Sequence, residues 1–229
     1  MSTRRHVLLI DDDADLRDTL AHEISQSDGF IVKQAANGAQ GHALAREYDY
    51  DIILLDIGLP DEDGRDVCRS LRGEGLKMPI ILLTAAATDA DTVLGLESGA
   101  NDYVVKPFNL AVLLARMKAQ IRQYEQTEDA VFRMGPYKFR PGQKLLVDEE
   151  RGSHKVRLTG KETDILKYLY RASGAVSREV LLDQVWGYNA SVSTHTLETH
   201  IYRLRQKLER DPANATLLVT EDGGYRLCP

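Results

Sequence analysis

Two groups of acidic residues stand directly after apolar runs of strand length. Asp56 follows the run 52–55, and Asp11 and Asp12 follow the run 6–10. An apolar run of this length, bounded by turn residues, is typical of a strand that is covered on both faces. Aspartate after a strand most often serves as a turn or cap residue. The other interpretation is a ligand site, because open parallel sheets bind ligands at the carboxyl ends of their strands.

The chemistry of these carboxylates depends on whether the first and third strands are neighbours. In a five-stranded sheet of order 2-1-3-4-5 they are, and Asp11, Asp12 and Asp56 then converge. Two like charges about 4 Å apart repel by roughly 4 kcal/mol at an effective dielectric near 20. Such a cluster requires shifted pKa values or a hard divalent cation, for which Mg2+ with oxygen ligands is the best candidate.

Two further groups at strand ends extend this chemistry. Thr84 ends the fourth apolar run, and Lys106 follows the fifth. Carboxylates, a hydroxyl and an ammonium group at the ends of four strands suit chemistry on an oxyanion such as phosphate. Each residue alone is commonly a strand-end or surface residue, whereas their joint occurrence in chain order favours a site.

The elements that must hold these groups alternate between strand-like and helix-like segments up to about residue 122. Right-handed crossovers turn this alternation into a parallel sheet with helices on both faces. We therefore expect a flavodoxin-like α/β domain over residues 1–123, with strand order 2-1-3-4-5. The polar, aperiodic stretch 124–130 is interpreted as a linker.

The pattern changes in residues 131–229. Four short strand-like segments come first, helical stretches near 159–171, 177–186 and 193–210 follow, and two strand-like pieces around a Gly-Gly turn end the chain. Three helices followed by a hairpin predict a winged helix.

Charge divides the chain in the same place. Residues 1–130 carry 13 Lys and Arg against 23 Asp and Glu, whereas residues 131–229 carry 16 against 12. An acidic first half suits a cation, and a basic second half suits a polyanion such as nucleic acid.

The segment 193–209 is predicted to form one long helix with Ser193 as its N-cap. Four apolar residues recur at helical spacing and are expected to face the core: Leu197, Ile201, Leu204 and Leu208. Side chains suited to base edges and phosphates occupy the other faces. The candidate DNA contacts are His195, Thr196, Thr199, His200, Tyr202, Arg203, Arg205 and Lys207. A solvated amphipathic helix is the alternative interpretation of this segment taken alone.

Composition argues against several classes of protein. No apolar run approaches the length of a membrane span, and the first ten residues are too short and too soon followed by acids for a signal peptide. A cytoplasmic protein without a membrane partner is therefore expected. The two cysteines, Cys68 and Cys228, suggest neither a disulfide framework nor a cysteine zinc site.

Four stretches together closely resemble the receiver domain of two-component response regulators, over nearly all of residues 5–122: LLIDDDADLR, DIILLDIGLPDEDG, LTAAA and GANDYVVKPF. The resemblance implies that Asp56 accepts a phosphoryl group from a sensor histidine kinase. It also implies that Asp12, Asp56 and the carbonyl of Gly58 bind Mg2+, with Asp11 assisting through water.

The same resemblance assigns the residues around the phosphate. Thr84 and Lys106 would bind the phosphoryl oxygens. Tyr103 would act as a switch that swings inward when Thr84 moves toward the phosphate.

Residues 131–229 resemble the DNA-binding domain of OmpR/PhoB-type regulators, notably in LTGKETDILKYLY, VSREVLLDQVWGY, THTLETHIYRLRQKLE and GGYRL. The resemblance implies a winged helix-turn-helix domain with an N-terminal, four-stranded β-sheet, a recognition helix in the major groove and a wing near the minor groove. It places Trp186 and Tyr225 in the core. Both domains in this order imply a regulator that dimerises through its receiver, binds double-stranded promoter DNA and works with RNA polymerase.

Two alternative functions are compatible with parts of this sequence. A phosphohydrolase of the haloacid dehalogenase type also uses Asp, Thr, Lys and an acid pair, with its nucleophile in a DxD motif after the first strand and a second Asp as acid/base. Residue 58 here is Gly, so the acid/base role is empty. The other alternative is a regulator that has lost phosphorylation and binds DNA constitutively, against which the complete set of receiver-site residues argues.

Two departures from the family pattern bear on DNA and dimer contacts. The wing sequence EDGGY is one residue shorter than usual and offers Asp222 where the family has a base, which weakens the case for minor-groove insertion. The Arg and Glu that pair across the family dimer are Thr92 and Val112 here. We expect the dimer to form nonetheless, through the fifth strand and the helices on either side of it. The expected interface residues are Leu96, Glu97, Asp102, Val112, Leu113, Arg116 and Arg122.

Overall fold

The computed structural model describes the chain in five stretches, residues 4–27, 29–85, 97–172, 174–187 and 194–228. The chain divides into two compact units between Thr127 and Glu128. Thr92, Leu96 and Ser193, to which the sequence assigned interface and capping roles, lie outside the described residues.

A five-stranded parallel sheet forms the centre of the N-terminal unit, in the predicted order β2-β1-β3-β4-β5. Every residue of β3 and β4 is buried, because these strands lie inside the sheet and helices cover both of its faces. Burial on both faces requires the continuous apolar runs seen in the sequence rather than an alternating pattern. The strands are β1 (Arg5–Ile10), β2 (Phe30–Ala35), β3 (Ile52–Asp56), β4 (Ile80–Thr84) and β5 (Asp102–Val105).

Helices pack on both faces of this sheet. They are α1 (Ala14–Gln26), α2 (Gly38–Glu47), α3 (Gly64–Gly73) and α4 (Leu110–Glu125). One core lies under α1 and α4 and includes Ile24 and Met117. The other lies under α2 and α3 and includes Ala45 and Leu71.

The helix α4 runs into the stretch 124–130 for which the sequence predicts a linker. Its last residue, Glu125, is buried and forms an ion pair with Arg5 at the start of β1. This contact extends the ordered unit beyond the predicted boundary. Among the described residues, no helix is both long enough and apolar enough to cross a membrane.

The sheet register brings the predicted site residues to one edge. Asp11 follows β1 and Asp56 ends β3, directly after positions that are partners in the register of the two strands. Thr84 and Lys106 stand at the ends of β4 and β5, where the Lys106 amide donates to the Thr84 carbonyl at 2.6 Å. Parallel strands end on the same side, so all four residues share the carboxyl edge.

The C-terminal unit contains the predicted strands and helices. An antiparallel sheet of order β6-β7-β8-β9 comes first. Its strands are β6 (Phe132–Met134), β7 (Tyr137–Arg140), β8 (Leu145–Asp148) and β9 (His154–Arg157), with a 3-10 helix at Pro141–Gln143. The helices that follow are α5 (Gly160–Arg171), α6 (Arg178–Trp186) and α7 (Thr194–Leu208).

The chain ends in the predicted hairpin, β11 (Leu218–Glu221) and β12 (Gly224–Leu227). A strand that the sequence analysis missed, β10 (Val176–Ser177), pairs with β12 and completes a three-stranded sheet. A two-residue strand is too short to carry a periodic signal. The helices and hairpin form the predicted winged helix, in whose core Tyr225 is buried and Trp186 partly buried.

Candidate functional site

Three carboxylates meet at the carboxyl edge of the parallel sheet. An oxygen from each of Asp11, Asp12 and Asp56 lies within 4.8 Å of the other two. Asp11 and Asp56 are buried, with exposures of 0% and 6%, whereas Asp12 is exposed. The expected convergence is observed because β1 and β3 are neighbours in the sheet.

Lys106 holds two of these carboxylates together. Its Nζ atom lies 2.8 Å from Asp11 Oδ2 and 2.7 Å from Asp56 Oδ1. Burial alone lowers the pKa of Lys106, but the hydrogen bonds to Asp11 and Asp56 outweigh burial and raise it. The ammonium group therefore stays charged and offsets part of the repulsion between the two carboxylates.

Asp56 is harder to ionise than an exposed aspartate. Burial raises its pKa, and the neighbouring charge of Asp11 acts in the same direction. Lys106 and the Gly58 amide, whose nitrogen lies 3.0 Å from Asp56 Oδ2, oppose this shift without cancelling it. An additional positive charge at this edge would stabilise the ionised form.

The donor atoms of this pocket fit a hard divalent cation. Mg2+ prefers oxygen ligands and takes one or two carboxylates together with carbonyls and waters. The carboxylates of Asp11 and Asp56 are buried at the ends of neighbouring strands, and the carboxylate of Asp12 is exposed to solvent. The acidic pocket is thus typical of Mg2+ binding.

The chain turns sharply after Asp56. Gly58 and Asp63 form an isolated antiparallel bridge, and the Gly64 amide donates to the Ile57 carbonyl at 2.9 Å. A Cβ atom at Gly64 would lie 2.8 Å from the Cα atom of Ile57, which is closer than real Cβ atoms approach. Glycine at this position therefore allows α3 to begin directly against the loop that carries Gly58.

Thr84 and Tyr103 lie on the same face of the sheet. Leu82 is the register partner of Tyr103, and Thr84 stands two positions after Leu82 on β4, so the three side chains point to one side. Thr84 is buried, and Tyr103 is partly buried against the core that contains Leu82. The two predicted switch residues are diagonal neighbours on adjacent strands.

The helix α7 separates an apolar face from a polar one. Its buried residues are Leu197, Ile201, Leu204 and Leu208, which confirms the face predicted from helical spacing. His195, Tyr202 and Arg203 are exposed, and Thr196 and Thr199 are partly exposed. Tyr202 is 64% exposed, an unusual setting for a large aromatic side chain. Gln206, which the sequence analysis did not single out, is exposed one turn after Tyr202 on the same face.

Arg205 and Lys207 are engaged inside the C-terminal unit. Arg205 donates to the Leu218 carbonyl and to Thr220 Oγ1, both at 2.9 Å. Lys207 Nζ lies 2.6 Å from Oε2 of Glu162, a carboxylate that is only 1% exposed. These bonds fasten α7 to the hairpin and to α5, so the DNA contacts expected of Arg205 and Lys207 would have to compete with them.

His200 is only partly exposed, and its ring lies 5.4 Å from the ring of Trp186. Burial lowers the pKa of His200, and the charges of Arg203 and Lys161 act in the same direction against that of Glu162. The ordinary pKa of histidine already lies below pH 7, and that of His200 is lower still. The imidazole is therefore mostly neutral near pH 7. A neutral imidazole offers a hydrogen bond rather than a positive charge.

The hairpin turns through Asp222 and Gly223. Both have positive φ angles, 48° and 74°, the combination found in two-residue type I′ turns. Asp222 is exposed, so the wing tip carries the acidic residue that the sequence indicates. Arg178 donates to the Gly223 carbonyl and lies over the Tyr225 ring at 5.1 Å. This basic side chain was not predicted at the wing, because α6 and the hairpin are distant along the chain.

The predicted dimer residues lie in different environments. Val112 is 49% exposed, whereas Leu113 is fully buried in the monomer core. Arg116 Nη1 lies 2.9 Å from Asp102 Oδ2 of the same chain. Leu113 is therefore removed from the expected interface, since adjacent residues of a helix point in different directions and here the first is exposed.

Comparison with protein families divides the chain in the same way. Residues 7–118 match the family described as response regulator receiver domain. Residues 153–227 match the family described as transcriptional regulatory protein, C terminal. The first range contains the carboxylate pocket, and the second contains α7 and the hairpin.

Individual relatives cover the whole chain. The DNA-binding response regulator MtrA of Mycolicibacterium paratuberculosis is 38% identical over 229 residues, which is 99% of this chain and 99% of the relative. The sensory transduction protein RegX3 of Mycolicibacterium smegmatis is 39% identical over 235 residues, covering 96% of this chain and 98% of the relative.

A solved structure agrees with the fold of the first unit. The receiver domain of the Francisella response regulator 1452 has a TM-score of 0.51 and 28% sequence identity, and covers 52% of this chain and 98% of that domain. The relatives that cover the whole chain, the two family matches and the observed sheet order all indicate the same family. The chain belongs to the two-component response regulators of the OmpR/PhoB type, transcriptional regulators that join a receiver domain to a winged-helix DNA-binding domain.

Proposed function

We propose that a sensor histidine kinase phosphorylates this regulator on Asp56 and that the phosphorylated form dimerises and binds promoter DNA. The observation that carries the proposal is the contact of Lys106 Nζ with both Asp11 and Asp56, at 2.8 and 2.7 Å, inside the pocket of three carboxylates. A cation already bonded to the proposed phosphoacceptor is placed to neutralise the phosphoryl oxygens that arrive there.

In the proposed reaction, a carboxylate oxygen of Asp56 attacks the phosphorus atom of the donor. The new oxygen–phosphorus bond forms as the phosphorus–nitrogen bond of phosphohistidine breaks, and the leaving imidazole nitrogen keeps the electron pair. The rigid end of β3 holds Asp56 in line with the donor. Lys106 and the Thr84 hydroxyl bind oxygens of the transferred group. Asp12, Asp56 and the Gly58 carbonyl would hold Mg2+, with Asp11 assisting through water, and the metal would supply further charge neutralisation.

The phosphoryl group favours the active state through Thr84 and Tyr103. It adds about −1.5 to −2 charges at pH 7. Turning a population of 1:99 into 99:1 takes about 5.5 kcal/mol, which phosphate contacts and dimerisation supply together. The shared sheet face of Thr84 and Tyr103 supports this coupling, because an inward move of Thr84 frees space beside the ring.

DNA binding is assigned to the exposed face of α7 in the major groove. Its contacts are His195, Thr196, Thr199, Tyr202 and Arg203, with the edge of His200. Arg205 and Lys207 are left out because their side chains bond within the domain. RNA polymerase is the expected further partner at the promoter.

Intact mass measurement after incubation with acetyl phosphate and MgCl2 tests the proposal. Wild-type protein should gain one phosphoryl group, and Asp56→Ala or an excess of chelator should abolish the gain. Asp18→Asn is the matched control, because Asp18 is exposed on α1, and it should label like wild type. Undiminished labelling of Asp56→Ala would contradict the assignment. Unchanged DNA affinity after labelling would favour a constitutive regulator.

A further inference from the structure

The loop between Asp56 and α3, residues 57–63, carries Gly58 and is anchored at both ends. The Ile57 amide donates to the Leu83 carbonyl at 3.0 Å at one end. At the other end Asp63 caps α3 by accepting from the Arg65 amide at 2.8 Å. The middle of the loop rests on α2, a helix to which the proposed reaction assigns no role.

Asp61 binds the first turn of α2. Its Oδ1 atom accepts from the Gly38 amide and its Oδ2 atom from the Ala39 amide, both at 2.9 Å. The first amides of a helix lack partners within the helix and form the positive end of its dipole. The first turn of α2 contains no acidic residue of its own. Asp61 therefore supplies this charge from the loop, and the amides of Ala39 and Gly38 lower its pKa.

Glu62 makes a second contact with the same helix. Its Oε1 atom lies 3.3 Å from Nε2 of His42, one turn into α2. Gly38 leaves the room that Glu62 occupies, because a Cβ atom there would lie 2.7 Å from Glu62 Cγ. Two consecutive acidic residues of the loop are thus seated on one helix.

We infer that Asp61, supported by Glu62, is a positioning residue for the phosphoacceptor site, with α2 as the platform that fixes the loop and its Gly58 carbonyl relative to Asp56. The inference rests on the proposed Mg2+ site. A loop already held in place loses little conformational freedom when a cation binds. The contacts of Asp61 and Glu62 with α2, here called the tether, therefore raise the affinity of the site for Mg2+. They have little effect on phosphoryl transfer once Mg2+ is bound.

Calorimetric titration of the full chain with MgCl2, without a phosphodonor, tests the inference. Asp61→Ala should raise the Mg2+ dissociation constant about tenfold, the scale typical of residues that orient metal ligands. Its labelling rate by acetyl phosphate at saturating Mg2+ should stay within about twofold of wild type. This division between affinity and rate is not expected from a loss of stability alone.

Asn37→Ala is the matched control. Asn37 caps the same turn of α2 by accepting from the Gln40 amide at 2.9 Å, and this bond lies within the helix and its cap. The variant should lower the unfolding temperature, as loss of a cap does, while the Mg2+ dissociation constant stays within about twofold of wild type. Asp61→Asn, which keeps an acceptor oxygen without the charge, should have an intermediate affinity.

Equal losses of Mg2+ affinity in Asp61→Ala and Asn37→Ala would overturn the inference, because general weakening of α2 would then explain both. An unchanged affinity in Asp61→Ala, or a wild-type chain that takes up no Mg2+, would also overturn it. A wild-type chain that binds Mg2+ but is not labelled on Asp56 would overturn the proposed function alone, since calorimetry decides the role of the tether without a phosphodonor.

Discussion

At the scale of single residues, Asp56 combines two properties that oppose each other. Burial beside Asp11 disfavours its charge, and the proposed chemistry requires that charge. Lys106 resolves part of the conflict, and a divalent cation would resolve the rest. The ionised carboxylate of Asp56 therefore destabilises the fold, and a bound cation would reduce this destabilisation.

Asp56→Asn is expected to stabilise the receiver domain when divalent cations are removed. Because the pKa of Asp56 is raised in the fold, the ionised carboxylate costs stability above that raised pKa. The cost disappears as the pH falls through the raised pKa and the residue takes up a proton. Calorimetric unfolding near pH 8 should show a gain on the order of 1 kcal/mol, or about 2–4 °C.

The pH dependence identifies the cause of this gain. The stability gain of Asp56→Asn should shrink as the pH is lowered, and MgCl2 should reduce the gain at neutral pH. The exposed control Asp18→Asn should change the free energy of unfolding by less than about 0.5 kcal/mol at every pH. A gain in Asp56→Asn that stays constant with pH would contradict burial of the charge as its origin.

Arg203 is the residue on α7 for which base readout is predicted. Arg203→Ala should cost roughly 1–3 kcal/mol in affinity and relax the preference at one base pair, since arginine forms bidentate contacts with guanine. Binding to a selected site and its single-base variants measures both effects. Lys155→Ala, which removes one positive charge from exposed β9, should leave the base preference intact. Equal relaxation in both variants would refute a specific contact.

At the scale of elements, Glu162 joins two helices. Its Oε2 atom accepts from the Thr159 amide at 2.7 Å, which caps α5, and from Lys207 at 2.6 Å, which fastens α7. Burial alone raises the pKa of Glu162, but Lys207 and Thr159 outweigh it and lower the pKa. The ion pair thus fixes the position of α7 against the rest of the domain.

Lys207→Met should destabilise the DNA-binding domain by roughly 3 kcal/mol, because it leaves the buried carboxylate of Glu162 without its cation. The double variant with Glu162→Gln should recover much of this loss, since no buried charge remains. Because the pKa of Glu162 is lowered, the pair stabilises the fold above the ordinary pKa of glutamate and is lost as the pH falls through the lowered value. Thermal unfolding of the single and double variants checks both statements.

DNA binding separates this structural role from a phosphate contact. At a temperature where Lys207→Met is folded, the slope of log affinity against log salt should match wild type. A slope reduced by about one unit would restore Lys207 as a phosphate contact.

At the scale of the whole molecule, the predicted receiver dimer lacks the ion pair usual in the family. Thr92 and Val112 replace both of its members, so neither side strands an unpaired charge. Val112 is half exposed on α4, while Arg116 and Asp102 satisfy each other within the chain. The predicted interface is therefore expected to rely more on apolar contact than on charge.

Val112→Asp should prevent dimerisation of the phosphorylated protein, because it places a charge in the apolar centre of the interface. In wild type the dimer dissociation constant should depend only weakly on salt, since few charges cross the interface. Sedimentation of the phosphorylated chain at low and high salt measures both. Steep dissociation by salt, or an intact dimer in Val112→Asp, would show that the surface lies elsewhere. Leu113→Ala should lower stability, because its side chain is buried in the monomer.

Sequence alone determined the features that depend on local periodicity and residue type. Buried strands need continuous apolar runs, so β1 and β3 were predictable, and the expected order 2-1-3-4-5 made them neighbours and brought Asp11 and Asp56 together. Helical spacing in the same way identified the buried face of α7. Resemblance to a known family then supplied the roles of the site residues.

Tertiary structure alone decided which charged side chains are already paired. Lys207 looks like a DNA contact on a helical projection, yet it bonds Glu162 from a helix that is distant along the chain. Arg178 likewise bonds the Gly223 carbonyl of the wing, and Asp61 accepts from the first turn of α2. The burial of Leu113 is also a result of tertiary packing. A long polar side chain bonds whichever partner lies within its reach. Which groups lie within reach is set only when the core packs the helices and strands together.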